Sequence, residues 1–210
     1  MALEDRFKKI GTNGVDYRGI PFWSWNDELD PDELARQVHE MARAGLGGHF
    51  MHARDGLITP YMGDQWIACI KAAVKASEAA GIRPWLYDED RWPSGAAGGA
   101  VARMDDAYKA RRLGWELIAP EEFEPADNTL ATFLLGPEPA DVRHVPPKAV
   151  ARKAEADDEL LHFYAETVRW RRRETYTDLL HPDAVQAFVK HTYNGYRKAL
   201  RRRFKTIPGI

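Results

Sequence analysis

Between residues 19 and 95 the chain alternates short apolar runs with amphipathic stretches. Gly19-Ile20-Pro21-Phe22-Trp23-Ser24-Trp25-Asn26 is an aromatic run that ends on a polar residue, which predicts a strand. In the next segment Asp30 suits an N-cap, Pro31 the first helical position and Glu33 the reciprocal capping position. Leu34, Val38, Met41 and Ala42 then fall on one helical stripe, and Gly45 is a fitting stop. A second strand is expected from Leu46 to about Met51, ending in His52-Ala53-Arg54-Asp55-Gly56. A helix over 64–80 follows, with Trp66, Ile67, Ile70, Ala73 and Val74 on one face and Gly81 closing it. A third strand starts at Ile82 and runs into Asp88-Glu89-Asp90-Arg91-Trp92-Pro93-Ser94-Gly95. Strand, helix and strand in this rhythm predict parallel βα units with right-handed crossovers.

The rhythm stops after Gly95. Residues 114–119, 129–135 and 160–169 read as strands, and the Pro-, Glu- and Ala-rich stretch 136–158 reads as an exposed connection. The expected organisation is therefore 1–113 as α/β units one to three, 114–172 as a mainly β insertion, and 173–210 as a fourth unit. That fourth unit has a strand near 175–180, a helix from about Pro182 to Arg203, and the start of a fifth strand at the end.

Ligands of parallel α/β folds bind at the carboxyl ends of the strands, so chemistry is sought there. The strand ends hold Trp25 and Asn26, then His52 and Arg54, then Asp88, Glu89, Asp90, Arg91 and Trp92; Asp178 and His181 stand at the fourth. Three adjacent acids repel one another, and a neighbouring acid raises its partner's pKa, which is how a proton donor is kept at neutral pH. Asp88, Glu89 and Asp90 are thus the catalytic candidates, although the same triplet suits a hard cation such as calcium. Its plainer role is a pairing with Arg91 or Arg54 and a turn cap. Trp25 and Trp92 offer flat faces for sugar rings, with Asn26, His52, Arg54, Arg91 and Asp178 as hydrogen-bonding partners. Aromatic residues also fill cores.

Composition narrows the classes. The 210 residues carry 30 basic and 32 acidic side chains, a net charge of −2, so no global field argues for nucleic acid or anionic membrane. The basic runs 169–173 and 201–203 read as solvated faces. One cysteine, Cys69, excludes an intrachain disulfide and a Cys-rich metal site. No signal peptide or membrane-length apolar run is evident, so a cytoplasmic protein is expected.

Four segments together resemble the α-L-rhamnosidase-like glycoside hydrolases, family 106 and its relatives. They are Pro-Phe-Trp-Ser-Trp-Asn at 21–26, Gly-Gly-His-Phe-Met-His-Ala-Arg-Asp-Gly-Leu at 47–57, Tyr-Asp-Glu-Asp-Arg-Trp-Pro-Ser-Gly-Ala-Ala-Gly-Gly at 87–99, and Tyr-Thr-Asp-Leu-Leu-His-Pro-Asp-Ala-Val at 176–185. The resemblance implies an incomplete (β/α)8, TIM-type barrel of four to five strand–helix units with a β insertion after strand three. It implies a carbohydrate partner, allows a bound calcium, and makes the three acids site carboxylates. Members of that family are longer, continuing past the Ile-Pro-Gly-Ile strand into Thr-Asp-Glu-Pro. The expectation is therefore a truncated glycosidase of low or no activity alone. The alternative is a non-catalytic carbohydrate-binding or homo-oligomerising remnant, and a metal-dependent sugar isomerase is a weaker third.

Overall fold

The computed structural model describes residues 3–5, 7, 14–168 and 176–210. The described chain divides into two compact units: Met1–Tyr108 with Leu179–Ile210, and Lys109–Asp178.

The first unit is built on a three-stranded parallel sheet in the order β1 (Phe22–Asp27), β2 (Gly48–Leu57), β3 (Arg83–Asp90). Two helices make the crossovers, α1 (Pro31–Arg43) and α2 (Asp64–Ala80). Asp30 caps α1 as its sequence predicts, accepting from the N–H groups of Asp32 and Glu33 at 2.9 and 2.8 Å. Gly81 ends α2 in the left-handed conformation at φ 70°. Side chains on a strand alternate between faces, and here one parity faces the helices. Trp23, Trp25, Met51 and Leu86 pack with Val38, Trp66, Ile70 and Val74 in a continuous core. Cys69 is buried in that core, and burial pushes its thiol up to about 11, an inert state.

Along the chain, β3 is followed by turns from Arg91 to Met104, ahead of the second unit. After it, α3 (Pro182–His191) and α4 (Tyr193–Leu200) return to the first unit. The helix expected to run unbroken from Pro182 to Arg203 is interrupted at Thr192, whose hydroxyl donates to the Phe188 carbonyl. Beyond α4 a short 3-10 helix covers Arg201–Thr206.

The second unit is a four-stranded antiparallel sheet in the order β4-β7-β5-β6: β4 (Arg111–Ile118), β5 (Thr129–Leu135), β6 (Val142–Val145), β7 (Glu159–Thr167). A single-turn helix over Val150–Lys153 lies on one face, where Leu134, Val145, Val150 and Leu160 form a small core.

These two sheets correct the barrel expectation. A closed barrel needs eight parallel strands, whereas β1, β2 and β3 form an open sheet in which β1 and β3 are edges. No fourth parallel strand joins it among the described residues. Thr177, in the segment expected to supply one, makes an isolated antiparallel bridge to Lys109 in the second unit. The terminal Ile207–Ile210 is not a strand, although the Leu86 N–H donates to the Gly209 carbonyl at 3.2 Å. The architecture is a three-stranded parallel α/β layer plus a separate antiparallel sheet, not part of a (β/α)8 barrel. The basic run 169–173 lies outside the described residues. No described helix is long and apolar enough to cross a membrane.

Candidate functional site

The carboxyl edge of the parallel sheet is irregular in a specific way. Met51 pairs with Leu86, but the next pair is Ala53 with Asp90, so β3 carries two extra residues there. On the other side Trp25 pairs with Ala53 and Asp27 with Leu57, so β2 bulges in turn, with Gly56 at φ 95°. Bulges re-aim side chains and break strict alternation. They fall on the segments that carry the candidate chemistry.

A cleft of about 380 Å³ opens on the sheet face away from α1 and α2, lined by Phe22, Ser24, His52, Arg54, Tyr87 and Trp92. Trp92 is 66% exposed and Phe22 62%. The Phe22 ring stacks on Phe50 at 5.1 Å, and His52 meets Tyr87 edge-on at 4.0 Å. Burial, and then the neighbouring Arg54 charge, hold the His52 pKa below its ordinary value. His52, 3% exposed, is therefore a neutral imidazole at pH 7, and its Nδ1 is buried without a hydrogen-bond partner.

The three acids have separate surroundings. Asp88 accepts from Ser94 Oγ at 2.6 Å and from Tyr193 OH at 2.9 Å. Burial and the bond to Asp88 push the Tyr193 phenol up to about 12. Glu89 is 1% exposed and accepts four backbone N–H bonds, from Asp90, Ala96, Ala97 and Gly98, at 2.6 to 2.9 Å. Successive N–H groups converging in this way form an anion nest, and Ala97 and Gly98 adopt positive φ to make it. Burial raises the Glu89 pKa, and the four donors pull against that rise. Asp90 is half-buried at the sheet edge, 3.9 Å from Arg91 Nε. Arg91 itself, at φ 78°, lies 3.1 Å from Asp55.

Of the residues expected at the site, His52, Arg54 and Trp92 come together in the cleft, and Arg91 adjoins them in sequence. Trp25 does not: at 1% exposure it points into the core against Trp23 and Trp66. Asn26 is exposed at the end of β1 but does not line the cleft. Asp178 belongs to the second unit. Phe22, Ser24 and Tyr87 line the cleft without having been singled out. The signal for the first two was present, since Phe22 and Ser24 have the parity opposite to Trp23 and Trp25. No three His, Cys, Asp or Glu side chains converge to hold a metal among the described residues. The acid triplet is spread between a hydroxyl pair, a backbone nest and an arginine.

Fold and cleft together define an open parallel α/β layer with an aromatic, cationic pocket at its carboxyl edge. No family model and no curated protein matches the chain, so family 106 stays a resemblance carried by the four motif segments. Among solved structures the chain is similar to a rhamnosidase from Novosphingobium sp. PP1Y, at 15% identity and a TM-score of 0.42. The match covers 64% of this chain and 17% of that one, so the chain spans about a sixth of that protein. A likeness this distant assigns no chemistry.

Proposed function

We propose that the cleft binds a neutral carbohydrate, and that the chain is a carbohydrate-active, glycoside hydrolase-like protein whose described residues bind rather than cleave. The observation that carries this reading is the cleft's lining: three aromatic rings, Phe22, Tyr87 and Trp92, beside Ser24, His52 and Arg54, and no carboxylate. Aromatic faces suit the apolar C–H face of a sugar, while the Ser24 hydroxyl can donate to and accept from its hydroxyl groups and the Arg54 guanidinium can donate to them. Glycoside hydrolysis requires two carboxyl groups across the scissile bond. Asp88 and Glu89 are instead engaged in holding Ser94, Tyr193 and the 96–98 loop.

The test is isothermal titration of the chain with a panel of neutral methyl glycosides, methyl α-L-rhamnoside included, alongside aryl-glycoside turnover. Binding is expected without turnover. Trp92→Ala should weaken binding about three- to tenfold, the range of one aromatic contact, and leave the melting temperature unchanged because the ring is exposed. Silence across the whole panel, or steady release of aryl alcohol, would overturn the reading.

A further inference from the structure

A second groove, of about 600 Å³, lies where α2 meets the end of α4. Its lining is Lys71 and Lys75 from α2, Ala199 and Leu200 from α4, and Arg201, Arg202 and Arg203 from the turn beyond. Five cations and no acid line it, in a chain whose net charge is −2. Read along the sequence, 201–203 is a short basic run; only the fold brings the two lysines to it.

The plainer account is that arginines at a helix C-terminus complement its dipole. That covers 201–203 but not Lys71 and Lys75, which sit within α2 on the neighbouring helix. Nor does pairing account for them. Arg36, Arg43 and Arg83 on the same unit each have a carboxylate partner, and Arg203 has Glu78 at 3.0 Å. Lys71, Lys75, Arg201 and Arg202 make no ion pair among the described residues. Arg201 also holds φ 51° and ψ −123°, a strained backbone for any residue but glycine. Such strain persists where the surrounding structure fixes it, and here it keeps an arginine at the point where the three elements meet.

We propose that this groove binds a small anion carrying two or more phosphate groups. The volume lies within the range of small-molecule sites. Planar guanidinium forks suit phosphate oxygens in pairs, with lysines as point charges beside them. One carboxylate would leave most of the five charges unmatched. No aromatic ring lines the groove, so it lacks the stacking platform that single-stranded nucleic acid uses. The site is independent of the carbohydrate cleft, and the two readings stand or fall separately.

The experiment is titration of the intact chain with tripolyphosphate, orthophosphate and a single-stranded oligonucleotide at low ionic strength. Tripolyphosphate should bind more tightly than orthophosphate and weaken steeply with added sodium chloride. Lys71→Gln with Lys75→Gln should lower tripolyphosphate affinity by about tenfold, since charge in a shared groove acts collectively. Arg201→Gly should weaken it by about threefold while the melting temperature holds or rises, because glycine relieves the strained φ. That variant separates lost binding from lost folding. Equal binding by parent and variants, no preference over orthophosphate, or tighter binding of the oligonucleotide would each overturn the proposal.

Discussion

His49 lies on β2 at zero exposure, its ring edge-on to Trp23 at 4.9 Å and its Nε2 2.8 Å from Ser77 Oγ. The Ser77 hydroxyl has one proton and donates it to the Ala73 carbonyl at 2.8 Å. The His49 Nε2 must therefore carry hydrogen and donate to Ser77, which leaves Nδ1 as a lone pair without a partner. A second proton on that ring has nowhere to go. Burial holds its pKa down to about 4, from an ordinary 6.5. The unfolded chain therefore binds this proton more readily than the folded one. The contribution to stability is complete above about pH 6.5 and is lost as pH falls towards 4, on the order of 3 kcal/mol for that shift. Urea midpoints compared between the parent and His49→Gln should converge across this window as the parent loses its advantage. Parallel pH profiles for the two proteins would contradict the assignment.

At the scale of the element, β3 and the turn after it are tied by one side chain. Glu89 enters the 96–98 nest because two extra residues on β3 rotate it away from the cleft. Replacing it with glutamine keeps the shape but leaves one acceptor oxygen and points an NH2 group at backbone donors. Two of the four donors, those bound by one carboxylate oxygen, then lose their acceptor. Glu89→Gln should cost roughly 2–4 kcal/mol in chemical denaturation, the sum of about two unsatisfied buried N–H groups. Amide exchange at Ala96, Ala97 and Gly98 should accelerate before that of the central β2 residues. Unchanged stability would mean that the nest does not depend on the charge.

At the scale of the whole molecule, the antiparallel unit stands out for having an apolar surface on both faces. One face holds the core of Leu134, Val145, Val150 and Leu160. The other aligns Leu113, Trp115 and Leu117 of β4 with Ala165, Phe163 and Leu161 of β7, and then with Ala131 and Phe133 of β5. Trp115 is 65% exposed and Leu113 61%. An exposed apolar patch of this kind favours association in water. Trp115→Thr should therefore lower concentration-dependent light scattering while changing unfolding free energy by less than about 0.5 kcal/mol. A large loss of stability would show that Trp115 is covered in solution.

The local elements were legible in the amino-acid pattern alone. Period-two and period-3.6 patterns, the Asp30 cap and the glycine stops place β1, α1, α2 and β3 within a few residues of their observed bounds, because those signals are local, whereas β2 runs on to Leu57, beyond its expected end near Met51. The pattern also marked 87–92 as a place of concentrated chemistry. What it left open was everything that depends on partners distant in the chain. Strict alternation would have sent neighbouring acids to opposite faces, but bulges set by pairing with β2 decided where Asp88, Glu89 and Asp90 point. Trp25 entered the core because Trp66 and α1 lie on that side of the sheet. Among the described residues the parallel sheet has three strands, and Thr177, in the segment expected to extend it, bridges Lys109. Lys71 and Lys75 meet Arg201–203 only through helix packing. Short-range patterns specify an element, whereas register, sheet closure and the company a side chain keeps are settled by contacts that exist only once the chain has folded.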